Sequence, residues 1–286
     1  MKLSLNKAGN GALALSEARV SGFARDSGPA VKLRAALSVA GDRALPFIFP
    51  VAVLLIWHFA TLWQWVPSQV LPSPARVAAT FAEFVMDGSL FVHTGISLAR
   101  VLQGVLLGGT VGLMLGFGMG LSRLLNELLG PMIRALASVP KLGWVPLLVP
   151  LVGIDEALKV VSIAIGATVP VTLNTYTSLQ RIPARYLETA RVLRLTPSRA
   201  FFKVILPATL PGIVTGFVLA FSFGWKALIA VELMASSEGL GFLMTWGRQL
   251  FQMDVVLTSV LAIGVVGWLL DRFLQWSSRH LLHWLE

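Results

Sequence analysis

The chain has 286 residues, of which 56% are hydrophobic and only 13% charged, about half the charged share of a soluble domain. That balance excludes an ordinary soluble fold, and the lack of any cysteine excludes disulfides, thiolate metal sites and cysteine nucleophiles. The formal net charge of +9 does not indicate a nucleic-acid partner, because the basic residues sit in the N-terminal segment and in loops between apolar stretches.

Residues 1–44 are polar and rich in Gly, Ala and Ser, with Lys2, Lys7, Arg19, Arg25, Lys32, Arg34 and Arg43 outweighing Glu17, Asp26 and Asp42. No apolar run appears before Leu45, so the segment reads as a largely disordered cytoplasmic tail rather than a signal peptide. Residues 45–286 form the membrane domain. Six apolar spans follow in order, at 45–66, 98–121, 128–152, 157–179, 206–234 and 255–276, the third interrupted by Pro140, Pro146 and Pro150. Each is long enough for a hydrocarbon core that needs ~20 helical residues. The expected fold class is therefore all-α, a polytopic membrane helical bundle of about six transmembrane helices.

The charges orient these spans. The 181–203 loop carries Arg181, Arg185, Arg191, Arg194, Arg199 and Lys203 against Glu188 alone, whereas the 67–97 and 236–254 segments have no basic excess. Loops rich in Lys and Arg stay cytoplasmic. Six crossings then put the N-terminus, the 181–205 loop and the C-terminus on the same, cytoplasmic side. Trp57, Trp63, Trp65, Trp276 and Trp284 mark span ends as an aromatic belt.

On the second span, Gly104, Gly108, Gly112, Gly116 and Gly120 recur at every fourth position. They form a ridge that lets a neighbouring helix approach at backbone distance. Internal packing is the expected use, with a dimer interface as the alternative. The histidines His58, His93, His280 and His283 are scattered, and no metal site is expected. There is no GxxxxGK[ST] phosphate loop, GxSxG serine or paired His/Asp arrangement, so no catalysis and no cofactor are expected of this chain.

The 181–207 loop breaks the membrane pattern. Pro183 suits a helix start, Leu195-Thr196-Pro197 breaks that helix, and Thr196 with Pro197 starts a second short one leading into Pro207. The product is a helix–turn–helix elbow at the membrane surface. Within it stand Glu188-Thr189-Ala190, then three residues, Arg194, nine residues, and Val204-Ile205-Leu206-Pro207. This spacing resembles the EAA loop of binding-protein-dependent ABC importer permeases, whose pattern is EAA, three residues, Gly, nine residues and Ile-x-Leu-Pro. Thr189 and Val204 are mild departures. Arg194 stands where the pattern has glycine, and a non-glycine residue in a left-handed turn costs roughly 1 kcal/mol.

The resemblance covers about residues 45–285 and is closest to the permeases for aliphatic sulfonates, taurine and nitrate. Its landmarks include Leu71-Pro-Ser-Pro74, Leu121-Ser-Arg123, Gly153-Ile-Asp-Glu-Ala157, Val231-Glu232, Ser237-Glu-Gly-Leu-Gly241 and Leu270-Asp271-Arg272. It implies the type I ABC importer (MetI-like) permease fold in a bacterial inner membrane. It implies a second permease subunit in a homodimer, a pair of cytoplasmic ATPase subunits and a periplasmic substrate-binding protein. Glu188 and Thr189 would meet the ATPase groove, Ala190 and Leu193 would keep the contact face slim and apolar, and Leu206 and Pro207 would fix the junction with the fifth span. Arg194 is the position where coupling is expected to be weakened.

Charges inside spans suggest function by default. Lys226 and Glu232 lie in the fifth span and Lys141 beside Pro140 in the third. Lys226 and Lys141 are candidate guides for an anionic head group, and Glu232 is a candidate pathway residue or an internal ion-pair partner. Asp155, Glu156 and Lys159 are expected to cap the fourth helix or to meet a partner protein. An ion-coupled secondary carrier remains the alternative. It would need an inverted repeat and midplane ion sites, and no such repeat is evident.

Overall fold

The computed structural model describes residues 48–282. The tail 1–44, with its expected disorder, lies outside the described residues, as do His283 and Trp284. Helix α1, described over Ile48–Leu62, is apolar and ends before the predicted limit at residue 66. It stops in a Schellman turn, where Gln64 takes a left-handed φ of 52° and the Trp65 N–H returns to the Ala60 carbonyl at 3.0 Å. This helix belongs to the compact unit Met1–Val66, and all later elements belong to a second, Pro67–Glu286.

The second unit opens with the Leu71-Pro-Ser-Pro74 landmark, which is a helix start. Ser73 accepts the Arg76 N–H at 3.3 Å and Pro74 takes the first turn of α2, Pro74–Met86. Helix α3, Ser89–Leu121, begins well before the predicted residue 98. Ser89, His93, Thr94 and Ser97 dilute the hydropathy there without breaking the helix.

The predicted third span, 128–152, is not one helix. It divides into α4, Arg123–Ser138, a 3-10 turn at Lys141–Trp144, and α5, Val145–Val152. The cause is Pro140, whose ring disfavours helical backbone at the preceding residue, and Val139 is accordingly extended with ψ 128°. Gly153, at φ 85°, ends α5.

Then come α6, Glu156–Gln180, and α7, Ala184–Val192. A helical turn at Pro197–Ala200 and a π turn at Phe201–Ile205 lead into α8, Leu206–Ala235. Helix α9, Leu240–Gln249, and α10, Met253–Leu281, complete the chain. Among the described residues there is no strand. Four stretches are long and apolar enough to cross a membrane: α3, α6, the helical run Pro197–Gln249 that contains α8, and α10.

Helix α6 is the centre of this unit, held between α3 and α8. The glycine ridge of α3 faces it along its length. A Cβ at Gly108 would lie 2.1 Å from the Ala164 carbonyl oxygen, at Gly112 2.8 Å from that of Thr168, and at Gly120 2.8 Å from Leu179 Cδ2. The ridge is thus an internal seam, where missing side chains let the two backbones meet. Thr168 Oγ1 crosses it to donate to the Gly108 carbonyl at 3.1 Å. Val101 and Val105 of α3, Ile163, Ala167 and Val171 of α6, and Ala220 and Leu228 of α8 fill the remaining core. Near the start of α10, Asp254 accepts from Arg76 Nε and Thr80 Oγ1 of α2, both at 2.9 Å.

Candidate functional site

The elbow forms where α6 meets the surface. Pro183 starts α7, and Thr196 precedes Pro197 at the first position of the next helical turn, as expected. The bend between them is another Schellman turn. The Leu195 N–H bonds the Ala190 carbonyl at 3.1 Å and the Arg194 N–H bonds that of Arg191 at 2.9 Å. Arg194 sits at the left-handed position with φ 49°. The turn therefore keeps the glycine geometry despite the arginine. Pro207 explains the π turn before it. Its nitrogen cannot donate back to Lys203 and its ring would clash there, so the chain takes the wider i→i+5 spacing at 201–205.

Glu188, Thr189 and Leu193 are exposed, as are the cations Arg185, Arg191, Arg194, Arg199 and Lys203. Among the described residues no ion pair holds Glu188. Ala190 differs from the sequence expectation. It is 7% exposed and turned into the bend, where it lines a cavity of about 470 Å³ with Tyr186, Leu195, Val204 and Pro207. The reason is its place in the cap: the residue whose carbonyl closes a Schellman turn faces the turn itself. Leu206 and Pro207 are half-buried at the junction with α8. Phe201 meets Phe117 of α3 edge-on, with ring centres 5.3 Å apart, so the elbow is anchored to α3 as well as to α6 and α8.

The membrane charges separate into two environments. Lys226 is exposed on α8 and lines a cavity of about 630 Å³ walled mostly by apolar residues of α4, α6 and α8. Lys141 opens the 3-10 turn after Pro140. Glu232 faces elsewhere. It is 1% exposed and accepts from Ser97 Oγ at 2.8 Å, from Arg100 Nη1 at 2.7 Å and from the Gly241 N–H at 2.9 Å.

Arg100 is the residue that sequence reasoning missed. It is 3% exposed on α3. Besides Glu232 it holds Glu156 by two parallel bonds, Nε to Oε2 and Nη2 to Oε1, each 2.6 Å. It also donates to the Glu238 carbonyl at 2.8 Å. Lys159 completes the group through Glu156 Oε1 at 2.6 Å. Two cations and two carboxylates thus balance at the ends of α6 and α8 away from the elbow. Asp155 is the N-cap of α6 and Glu156 stands in its first turn, the acidic start expected of this helix, although Asp155 makes no side-chain cap bond and Glu156 also binds Arg100 and Lys159. The usable signal was arithmetic: a buried Glu232 needs a buried cation, and Arg100 lies inside the predicted second span.

The same cluster explains the Ser237-Glu-Gly-Leu-Gly241 landmark. A Cβ at Gly239 would fall 2.3 Å from Glu232 Oε1, and one at Gly241 2.6 Å from Glu232 Cβ. Only glycine lets this loop close over the carboxylate. Ser97 Oγ accepts the Leu240 N–H at 3.1 Å and His93 Nδ1 accepts that of Gly239 at 3.0 Å, which pins the loop to α3.

Residues 108–284 match the family model described as binding-protein-dependent transport system inner membrane component. The chain is 37% identical over 237 residues to the Bacillus subtilis protein SsuC, whose name assigns it to aliphatic sulfonates transport, covering 83% of this chain and 86% of that one. It is 35% identical over 242 residues to the Escherichia coli protein of the same name, with 85% and 92% covered. It is also 37% identical over 198 residues to CmpB, a bicarbonate transport system permease of Synechococcus elongatus, with 69% and 71% covered. Among solved structures, the inward-facing MetNI methionine ABC transporter matches with a TM-score of 0.57 at 20% identity, covering 65% of this chain and 92% of that one. An amino acid ABC transporter crystallised with histidines matches with a TM-score of 0.57 at 18% identity, with 70% and 98% covered. At these identities the two structures carry the fold.

Proposed function

The chain belongs to the family of binding-protein-dependent transport inner membrane components, and from that premise we propose that it moves an aliphatic sulfonate across the bacterial inner membrane, driven by ATP hydrolysed elsewhere. Its coarse role is that of an ABC importer permease subunit with membrane-spanning helices. In the proposed assembly two copies of this chain pair with two cytoplasmic ATPase subunits. A periplasmic binding protein delivers the cargo, and the chain itself carries no cofactor. The N-terminus, the elbow and the C-terminus face the cytoplasm.

The observation that carries this reading is the elbow. It presents Glu188 and Leu193 outward on a helix whose bend is closed by its own hydrogen bonds. Glu188 and Thr189 supply the polar contact with an ATPase groove, and Leu193 the apolar one. Ala190 contributes from inside, by keeping the bend tight. When the ATPases close, the elbow transmits the movement through Leu206 and Pro207 into α8. Lys226, and Lys141 beside Pro140, favour an anion in the path. Glu232, sealed by Ser97, Arg100 and Gly241, serves the frame.

The sulfonate assignment rests on the two SsuC relatives, which match most of both chains. The identity with CmpB favours a second reading, an inorganic anion such as bicarbonate. Uptake by proteoliposomes containing the permease, its ATPase and its binding protein separates the two. Ethanesulfonate and longer alkanesulfonates should enter in an ATP-dependent, vanadate-sensitive manner, and bicarbonate should not. Glu188→Ala should abolish uptake while the permease still folds. Uptake and ATPase association both unchanged in Glu188→Ala would remove the elbow from the mechanism.

A further inference from the structure

The cavity of about 470 Å³ inside the elbow lies where two spans end. Ser178 stands in the last turn of α6, and Pro207 and Ala208 in the first turn of α8, and all three line it. Tyr186, Ala190, Leu195 and Val204 of the elbow close the other side. Both helices belong to stretches long and apolar enough to cross a membrane. The cavity therefore lies at the depth where the chain leaves hydrocarbon and meets the lipid head groups.

Its lining carries two cations and no acid. Arg181 follows α6 directly and Lys203 lies in the π turn before α8. Among the described residues no ion pair holds either of them. Glu188, the one carboxylate of the 181–203 loop, does not line the cavity, and neither do Arg191 and Arg199. Two like charges that share one cavity repel until an anion lies between them. The remaining wall is largely apolar, with Ile182, Pro183, Leu195, Val204 and Pro207. A small inorganic anion would answer the charges and leave that wall uncovered. An apolar molecule would leave both cations unanswered. The matching ligand joins an anionic group to an apolar body, at the membrane surface.

We propose that this cavity holds the head group of one anionic phospholipid, with its phosphate between Arg181 and Lys203. The acyl chains pass Ala208, which is exposed at the start of α8, into the bilayer. The bound lipid ties the end of α6 to the π turn before α8 and so braces the elbow from the membrane side. Such binding needs neither the cargo nor the ATPase.

The test is lipid titration of the purified full-length chain at about 0.15 M salt, followed by native mass spectrometry. One phosphatidylglycerol per chain should bind about twenty-five-fold more tightly than phosphatidylcholine, from two cations at about fivefold each. Arg181→Gln and Lys203→Gln should each weaken that lipid about fivefold, and Lys203→Arg should leave it in place. Arg191→Gln and Arg199→Gln, which remove exposed cations of the same elbow, should change it by less than about twofold. Amide exchange over residues 184–204 should slow with phosphatidylglycerol in the wild type and not in the Arg181→Gln, Lys203→Gln double variant. Equal binding of the two lipids would overturn the proposal. Equal losses from all four glutamine variants would overturn it too, by showing a diffuse basic surface in place of a site. Displacement of the lipid by glycerol 3-phosphate at matching concentration would make this a soluble-anion site, and loss of the lipid on assembly with the ATPase would give the cavity to protein; either result overturns the proposal.

Discussion

Arg100→Met is expected to destabilise the permease by about 3–5 kcal/mol, the typical cost of leaving a buried charge without its partner. The structure says where that cost falls. The side chain of Glu232 is 0% exposed, so it cannot recruit water in place of the guanidinium. After the substitution it keeps only the Ser97 hydroxyl at 2.8 Å and the Gly241 N–H at 2.9 Å. Glu156 loses two bonds against the one that Glu232 loses, but its side chain is 61% exposed and it retains Lys159 at 2.6 Å, so its share is small. Adding Glu232→Gln should recover most of the loss. Glutamine removes the charge and keeps an acceptor for Ser97 and Gly241, leaving about 1–2 kcal/mol for the bond to the Glu238 carbonyl. The assay is reversible SDS unfolding of the purified protein in mixed micelles, followed by tryptophan fluorescence. A loss below about 1 kcal/mol in Arg100→Met, or a double variant no more stable than the single one, would refute the reasoning.

Three further outcomes follow from the packing and the caps. Gly108→Ala should destabilise by about 1–3 kcal/mol or more, because its Cβ meets the Ala164 backbone, which cannot step aside. Gly95→Ala, in the same helix with nothing within 4 Å, should instead stabilise by about 0.5–1 kcal/mol, and unfolding of the two variants side by side checks both. Arg194→Gly should relieve roughly 1 kcal/mol of left-handed strain, less a few tenths for the freer unfolded chain, with slower amide exchange at Leu195 as the readout. At the start of α3, Asp87 accepts the Ser89 N–H at 2.8 Å. Hydrogen bonding from Ser89 holds its carboxyl below the usual carboxylate range. Its contribution is therefore complete above the ordinary aspartate pKa and is lost as pH falls through the lower folded value. Exchange at Ser89 should quicken in that acid window, and Asp87→Asn should remove most of the pH dependence.

The elbow is legible in the sequence because its signals are local. Pro183 and Pro197 suit helix starts through their own backbone chemistry, and Thr196 takes the extended N-cap backbone although its hydroxyl makes no cap bond. The expectation of strain at Arg194 survives because the Schellman turn is closed by main-chain bonds that any residue supplies. The facing of Ala190 follows from the cap rather than from helix periodicity, since its carbonyl closes the turn over which Val204 and Pro207 then pack. The break expected in the third span is legible for the same reason, because Pro140 acts on the one torsion before it, whereas Pro146 at the start of α5 and Pro150 inside it leave that helix unbroken. Arg100 escaped because nothing in its own span marks it as paired: its partners come from α6, α8 and the loop beyond Ala235.

These pieces form one mechanical line. Helix α6 carries the elbow at Gln180 and begins at Glu156 in the charge cluster. Between those ends it touches α3 through glycines at Gly108, Gly112 and Gly120, and α8 through Gly216 and Gly224. Backbone contact of this kind leaves few side chains to rearrange, so the three helices shift together rather than slide. Under the proposed mechanism, a movement imposed on the elbow through Pro207 or the Phe201–Phe117 contact is passed to the far end by these contacts. There Arg100 and Glu232 hold the 236–241 loop to α3, so the loop must follow. The cavity of Lys226 and Ser162 lies on the α6–α8 face of this unit, with α4 and the 3-10 turn on its other side. Movement of the rigid unit against the Pro-broken segment therefore changes the cavity without breaking the core. Pro140 and Gly153 interrupt the helices on one side of the cavity, and glycine draws the backbones together on the other.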